Sequence, residues 1–337
     1  MFLRSTSLQD LDLTGVRIHI SPTSKSKSPD GKSNGASSTI SALLNGGKDG
    51  IHGDKKHKEK ANSKLQIGKK SSINSVMSLA GLMSGQGFGS GYVNGNGGLK
   101  FCPDLSYLRI GGMQLEFGKS TVWRSMDILN HLLPHVDKGK ITHLDLRVDK
   151  NDTNFTLDDK LVLKTFKLIG QNFPKLQRLV LQHWRMKISE KTCKEVGKNL
   201  QGLVALSSIS MDHSTVSCET GSQGSGAPSK RIDHIFTSSV LSSVKYLSDF
   251  SWANFDPIQM PQLARALCDH HTVVPTLGGL TVKLESVPLA AIKLLISNSV
   301  AKSNSSGVAI EYAGNHSVLV RKHKDRGDLM HKLKRFL

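Results

Sequence analysis

Residues 141–146 read Ile-Thr-His-Leu-Asp-Leu, and the same spacing of apolar residues returns at 176–181 (Leu-Gln-Arg-Leu-Val-Leu) and at 206–211 (Leu-Ser-Ser-Ile-Ser-Met). We call this six-residue pattern, apolar at its first, fourth and sixth positions, the leucine motif. Its alternation is typical of a β-strand, whose side chains point to opposite faces in turn. Between the motifs, residues 157–173 and 189–200 repeat their apolar side chains every three or four positions, which predicts amphipathic helices.

Further copies of the leucine motif extend the pattern in both directions. They begin at Leu8, Leu105, Leu247 and Leu277, and the last and weakest copy retains only Val308 and Ile310. Helices are predicted between them at 121–133, 232–243, 257–270 and 286–299. From Leu105 onward the copies follow each other at intervals of 28 to 41 residues. A strand–helix unit with such a period predicts an α/β solenoid, because each unit can bury its apolar face only against its neighbours.

In these features the chain resembles a leucine-rich repeat protein of the subclass typified by ribonuclease inhibitor, whose repeats contain long helices. The ordered copies of the motif carry the resemblance, and Arg265-Ala266-Leu267 is similar to the end of that subclass's helix. The resemblance implies a horseshoe with a concave parallel sheet and outer helices.

One position departs from the family pattern. The family places Asn or Cys three residues after the motif, where its side chain bonds the backbone of the turn. This chain has other residues there, namely Asp149, Trp184, Ser214, Phe255 and Glu285. Its turns therefore need other hydrogen-bond partners.

Composition divides the chain into four parts. Residues 1–20 hold the first motif, and residues 101–318 hold the remaining array, which a loop at 214–229 interrupts. Residues 21–100 are rich in Ser, Lys, Gly and Asn, and they can bury too little apolar surface to offset the entropy of folding, so we expect a disordered insertion. The tail, 319–337, is basic. Its residues 328–337 have the pattern of an amphipathic helix that either caps the last repeat or binds a ligand.

The formal net charge is +18, so the location of the excess charge matters. Residues 1–100 hold 14 Lys and Arg against 6 Asp and Glu, and residues 319–337 hold 7 against 2. Residues 101–318 hold 24 against 19, so 13 of the 18 excess charges lie outside the array. An alternative function is therefore the binding of nucleic acid or anionic lipid through the two basic ends.

The cysteines and the N-terminus indicate a cellular compartment. Four widely separated cysteines, with no Cys-x-x-Cys pair, are typical of a reduced protein, so we expect the cytoplasm or the nucleus. The first residues have neither the apolar core of a signal peptide nor the acid-poor character of a transit peptide. No apolar run approaches the roughly 18 residues that a membrane-spanning helix needs.

The positions between the motif's apolar residues are expected to line the concave face. In the early rows these positions are large and polar, whereas in the later rows they are mostly small. Arg and Tyr are enriched where proteins bind one another, so we predict a contact surface for a protein partner on the early rows. Its residues are Tyr107, Arg109, His143, Asp145, Arg147, Arg178 and Gln182, with His183 at the edge. The alternative is that these side chains are polar only because water reaches that face.

The sequence lacks the motifs of catalysis and of cofactor binding. Residues 112–120 come within one residue of a phosphate-binding loop but place five residues rather than four between the glycines. His131 and His135 have the spacing of paired metal ligands, but Pro134 interrupts the helix. No Gly-x-Ser-x-Gly marks a nucleophile. We therefore predict a non-enzymatic scaffold with no catalytic residue, no cofactor and no metal.

Overall fold

Strands built from the leucine motif form the central sheet of the structure. The structure is a computed structural model, and it describes residues 9–20, 104–117, 121–133, 136–152, 155–218, 229–273 and 278–322. The strands in chain order are β1 (Asp10–Asp12), β2 (Arg17–Ile20), β3 (Tyr107–Arg109), β4 (Gln114–Phe117), β5 (Thr121–Arg124), β6 (His143–Asp145), β7 (Leu157–Asp158), β8 (Arg178–Val180), β9 (Arg185–Lys187), β10 (Ser208–Ser210), β11 (Thr215–Cys218), β12 (Lys230–Arg231), β13 (Asp249–Ser251), β14 (Leu280–Lys283), β15 (Val308–Gly314) and β16 (Ser317–Lys322). The helices are α1 (Ser125–Leu132), α2 (Asp159–Asn172), α3 (Glu190–Leu200), α4 (Asp233–Ser243), α5 (Met260–Val273) and α6 (Leu289–Ser306).

The central sheet has nine strands in the order β1-β3-β6-β8-β10-β13-β14-β16-β15, and it is parallel from β1 to β14. The fourth position of the motif is in register across neighbouring strands, as Leu108, Leu144 and Leu179 show. From Leu105 to Trp252 the apolar positions of the motif are only 0–2% exposed. They belong to one continuous hydrophobic core. The protein is therefore of the α/β class with a mostly parallel sheet, as predicted.

The helices lie close to where the apolar spacing predicted them, and their first turns are capped. The Asp158 carboxylate accepts a hydrogen bond of 2.8 Å from the Leu161 amide at the start of α2, and Ser189 caps α3 in the same way. The first helix is shorter than predicted. Residues 121–124 form β5, which pairs antiparallel with β4, and Asp127 accepts a hydrogen bond from the Arg124 amide, so that α1 begins at Ser125.

Two small sheets lie beside the central one, in the orders β2-β4-β5 and β12-β11-β9-β7. They bear on two stretches of the sequence. The predicted loop at 214–229 is wrong for Thr215–Cys218, which is strand β11 and pairs with β9 and β12, while residues 219–228 lie outside the described ranges. Residues 112–120, whose spacing does not fit a phosphate-binding loop, contain strand β4.

The turns after the central strands find hydrogen-bond partners in residues other than the expected Asn or Cys. The Trp184 indole Nε1 donates to the Leu146 carbonyl at 2.8 Å, and the Ser214 hydroxyl donates to the Leu181 carbonyl at 2.7 Å. Leu146 and Leu181 each occupy the last position of a leucine motif. The Trp252 indole in turn donates to the Ser214 carbonyl at 2.9 Å. Buried carbonyl groups at these turns are thereby satisfied without the family's usual side chain.

The C-terminal end of the sheet differs from the prediction in register. Phe250 pairs with Val282 rather than with Leu280, so the motif predicted at 277–282 lies two residues later, at 279–284. A shift of two leaves the same side chains facing inward, and both registers place apolar residues at the fourth and sixth positions. In the observed register Gly279 takes the first position, where a Cβ would lie 2.7 Å from the Val320 carbonyl oxygen, so that this position requires glycine.

The C-terminal end also differs in strand direction. The predicted last parallel copy, at Val308 and Ile310, belongs to β15, which pairs antiparallel with β16. The hairpin closes at Asn315 and His316, both with positive φ, and β16 joins the sheet antiparallel to β14. The predicted boundary at residue 319 therefore falls inside a strand of the sheet.

Some predictions lie outside the described residues. These are the insertion at 21–100, the amphipathic helix at 328–337 and His135 of the histidine pair. Within the described ranges, none of the helices has the length and apolar content needed to cross a bilayer.

Candidate functional site

The polar face of the central sheet carries the side chains that lie between the apolar positions of the leucine motif. Because neighbouring strands pair in register, these side chains form rows across the sheet. One row runs through Asp10, Tyr107, His143, Arg178 and Ser208. The adjacent row runs through Asp12, Arg109, Asp145, Val180 and Ser210. The strands β1, β3, β6 and β8 thus bring together residues that are far apart in the chain.

Arg109 joins the two rows at the edge of the sheet. Its guanidinium donates to the Asp10 carboxylate at 3.0 Å and to the Asp12 carboxylate at 3.2 Å. Burial opposes ionisation of Asp12, but hydrogen bonds from Thr14 and the charge of Arg109 outweigh it, so the pKa of that carboxyl is lowered. The positive charge of Arg109 is therefore compensated within the chain.

Tyr107 and His143 form the middle of the first row. Their rings stack with centroids 4.2 Å apart and an interplanar angle of 25°. The Thr142 hydroxyl donates to the Ser106 carbonyl and lies 2.9 Å from Nδ1 of His143. Burial, followed by the charges of Arg178 and Arg109, lowers the pKa of His143, which keeps the ring neutral.

Asp145, the last residue of β6, forms an ion pair with Arg147, which lies two residues further along the chain. The Arg147 Nε donates to the Asp145 Oδ2 at 2.9 Å, and the Arg147 amide donates to Oδ1 at 3.0 Å. The hydrogen bond to Asp145 raises the pKa of Arg147. Asp145 is only 4% exposed, and the pair fits there because Gly111 has no side chain: a Cβ at Gly111 would lie 2.6 Å from the Asp145 Oδ1. The carboxylate and the guanidinium therefore hold each other in place.

A cavity of about 460 Å³ opens on this part of the polar face. We call it the Arg178 cavity. Its lining residues are Asp12, Thr14, Tyr107, Arg109, His143, Leu144, Asp145, Arg147, Arg178 and Val180. Two other depressions, beside Met113 and beside Leu168, hold only about 10 Å³ each. The Arg178 cavity is thus large enough for a side chain or a small ligand, which those two are not.

Arg178 differs from the other two arginines of the cavity. Its side chain is exposed, and it makes no hydrogen bond or ion pair with the residues that the structure describes. Its neighbours in register are His143 on β6 and Ser208 on β10, neither of which carries a negative charge. Unlike Arg109 and Arg147, Arg178 is therefore a positively charged residue of the cavity wall that is bonded to no carboxylate among the described residues.

Gln182 and His183 take different roles from the other predicted contact residues. The Gln182 amide donates to the Ser210 hydroxyl at 2.9 Å and to the Asp212 carboxylate at 3.2 Å, which directs it toward the later strands. His183 stacks on His213 with ring centroids 5.1 Å apart, and both residues have positive φ. Burial, followed by the charge of His213, lowers the pKa of His183. The other six predicted residues line the cavity, and these two lie to its side.

Two polar lining residues escaped the sequence analysis. Asp12 and Thr14 come from β1 and the turn that follows it, and Asp12 contacts Arg109, which lies 97 positions further along the chain. The signal for Asp12 was available, because it lies between the apolar residues Leu11 and Leu13 of the first motif. Residues 21–100, which separate β1 from the later motifs in the chain, obscured which strand β1 would join.

Neither a cluster of metal ligands nor a reactive Cys193 thiol is found in the part of the chain that the structure describes. Among the described residues, no three His, Cys, Asp or Glu side chains are grouped as metal ligands. Burial raises the pKa of the Cys193 thiol to about 12, so it stays protonated at neutral pH and is a poor nucleophile.

No protein-family model matches the chain, and no curated protein is significantly similar to it. The geometry of the polar face is therefore the basis for assigning a function.

Proposed function

We propose that the chain is a leucine-rich repeat solenoid of the ribonuclease inhibitor type, and that it binds a protein partner, without catalysis, through the polar face around the Arg178 cavity. The observation that carries the proposal is the gathering of six predicted contact residues around one cavity of about 460 Å³. These residues include arginines and a tyrosine, which are enriched at the centres of protein interfaces.

Packing distances support a sheet that is curved toward its polar face. Neighbouring strands lie about 4.8 Å apart, whereas packed helices lie about 8–10 Å apart. A parallel sheet with helices on one side therefore curves so that its other face is concave. The helices approach closely at Gly197 of α3, where a Cβ would lie 2.6 Å from the Ser239 carbonyl oxygen of α4. Such close packing fits units stacked side by side, in which each contacts mainly its neighbours.

The interactions within the polar face support recognition of a protein. The ion pair of Asp145 with Arg147, the contacts of Arg109 and the Tyr107–His143 stack hold side chains in position before any partner arrives. Side chains that are already ordered lose less entropy on binding. The cysteines that the structure describes, Cys193, Cys218 and Cys268, are not in disulfides, which fits the proposed cytoplasmic or nuclear location.

Nucleic acid or anionic lipid binding through the basic ends is the competing function. The polar face is a poor site for a polyanion, because the aspartates at 10, 12 and 145 lie among its arginines and are bonded to two of them, Arg109 and Arg147. Binding through the ends depends on charge, so it should weaken steeply with added salt.

Capture of partners by the tagged full-length chain tests the proposal. The double variant Arg147→Ala/Arg178→Ala should bind the partner at least about tenfold more weakly than the wild type. Truncation of an arginine at the centre of an interface can cost about 2 kcal/mol or more of binding free energy. The control, Lys164→Ala/Lys167→Ala, removes the same charge from exposed positions on α2 and should behave as the wild type. Circular dichroism tests whether the variants fold, and Arg178→Ala alone serves as a second variant because it leaves the Asp145–Arg147 pair intact.

The same experiment separates the two functions. Equal capture by the double variant and the wild type refutes binding through the polar face. Capture that disappears in both the wild type and the lysine control as salt rises from about 50 to 200 mM supports the basic ends instead.

A further inference from the structure

We infer that the Arg178 cavity receives one carboxylate group, that of an Asp or Glu side chain of the protein partner, and that Arg178 is its main ligand. The inference rests on the proposed function and adds the chemistry by which the partner is recognised. It follows from the way in which the charges of the cavity are already used.

Two of the three arginines in the cavity are occupied. Arg109 contacts both Asp10 and Asp12, and Arg147 contacts the buried Asp145 through its side chain and its amide. A ligand that recruited either guanidinium would have to compete with an acid already bonded to it. Arg178 makes no such bond with the described residues.

The neighbours of Arg178 do not neutralise it. His143 lies opposite on β6 and is neutral, since its pKa is lowered, and Ser208 lies opposite on β10. A guanidinium has five N–H donors in a planar fork that fits the two oxygens of a carboxylate. The Tyr107 hydroxyl makes no hydrogen bond with the described residues and adds a donor on the same row.

The charges of the lining residues limit how much negative charge a ligand of the cavity can carry. Asp12 and Asp145 stand in the wall of the cavity beside Arg178, and both repel a ligand with several negative charges. A phosphate dianion or a nucleic acid strand would meet this repulsion in full, whereas a single carboxylate matches the one uncompensated cation. The stacked rings of Tyr107 and His143 supply a flat wall against which the aliphatic part of a Glu side chain can pack.

A titration observed by nuclear magnetic resonance tests the inference at the site itself. The isotope-labelled full-length chain is titrated at constant ionic strength with the capped peptide Gly-Gly-Glu-Gly-Gly and, separately, with Gly-Gly-Gln-Gly-Gly. The signal of the Arg178 Nε–H group is assigned by its loss in Arg178→Gln, and that of the exposed Arg265 on α5 by its loss in Arg265→Gln. Single-charge peptides keep binding to the basic ends weak.

The Arg178 signal should shift and saturate with the glutamate peptide, with a dissociation constant at least about tenfold below that of the glutamine peptide, because charge-assisted hydrogen bonds are the stronger ones. The Arg265 signal should not move. An unmoved Arg178 signal, equal shifts with the two peptides, or parallel shifts of Arg265 would overturn the inference. Saturation by inorganic phosphate below the concentration needed for the glutamate peptide would overturn it as well.

The outcomes distinguish this inference from the proposed function. If the glutamate peptide fails while Arg178→Ala still weakens capture of a partner, the polar face binds proteins by another chemistry. If the peptide binds at Arg178 while capture is indifferent to every polar-face variant, the carboxylate site stands and the protein-binding role fails.

Discussion

Arg178 and His143 lie opposite each other in the parallel register of β8 and β6, 35 residues apart in the chain. Burial first, and then the charges of Arg178 and Arg109, hold the pKa of the His143 imidazole below its ordinary value. The two residues therefore form an electrostatically coupled pair at the centre of the polar face.

Removal of the Arg178 charge should raise the pKa of His143. Arg178→Gln deletes the repulsion but leaves the burial of the ring unchanged, so the pKa should move upward without reaching that of a free imidazole. A titration of the His143 ring by nuclear magnetic resonance measures the change. Arg265→Gln, which removes an equal charge from the exposed surface of α5, should leave the pKa where it is. An unchanged pKa in Arg178→Gln would show that the two side chains are not coupled.

The lowered pKa of His143 also predicts how stability depends on pH. Between its folded-state pKa and the ordinary value of about 6.5, the unfolded chain binds more protons than the folded chain does. The contribution of His143 to the free energy of unfolding is therefore fully present above pH 6.5, and it is lost as the pH falls through the folded-state pKa. In His143→Gln, the free energy of unfolding from urea titrations should decline less between neutral and mildly acidic pH than in the wild type. His131→Gln, at an exposed position on α1, serves as the control. An equal decline in the wild type and in His143→Gln would contradict the assignment.

The hydrogen bond from Trp184 to the Leu146 carbonyl should contribute strongly to stability. Trp184→Phe removes the donor from a fully buried site, leaves the carbonyl unpaired and opens a small cavity. We expect a loss of about 2–4 kcal/mol in the free energy of unfolding. Urea denaturation followed by circular dichroism measures it. Tyr246→Phe alters a side chain that is 57% exposed, and it should change stability by no more than about 0.5 kcal/mol. A loss in Trp184→Phe no larger than that of the control would count against this role for the indole.

Gly197 should tolerate no side chain, because α3 and α4 meet there. A Cβ would lie 2.6 Å from the Ser239 carbonyl oxygen and 2.7 Å from the Ser243 hydroxyl, so Gly197→Ala forces the helices apart at a cost of about 1–3 kcal/mol. Thermal unfolding measures the effect as a lowered midpoint. Gly202→Ala is the matched control, since the nearest atom to its Cβ would be 4.0 Å away. Similar midpoints for the two variants would show that the helices yield at little cost.

The leucine motif predicted most of the sheet because burial alternates along a strand with a period of two. Every copy from Leu105 to Leu247 pairs with its neighbour in the expected register. The same periodicity explains the error near residue 277. A shift of two residues places Leu280 and Val282 inside in either case, so local pattern cannot distinguish the registers. The observed register places Gly279 against the Val320 carbonyl oxygen, which lies 41 residues further along the chain.

Strand direction was the second error, and it has a similar origin. Alternation is the same for a parallel and an antiparallel strand, so Val308 and Ile310 were assigned to a further parallel unit. The turn at Asn315 and His316, with positive φ at both residues, reverses the chain and makes β15 and β16 a hairpin. Gly314-Asn315 was a signal for this turn in the sequence.

By itself, the sequence determined which side chains are buried and which form the polar face, because that division depends only on the local spacing of apolar residues along each strand and helix. It also placed Tyr107, Arg109, His143, Asp145, Arg147 and Arg178 on one face. Only the tertiary structure decided that Asp10 and Asp12 join them across the insertion and occupy Arg109, that Arg147 is held by Asp145, and that Arg178 is left without a bonded acid. Ion pairing depends on distances of a few ångströms between strands, and the register of distant segments, which no local pattern encodes, sets those distances.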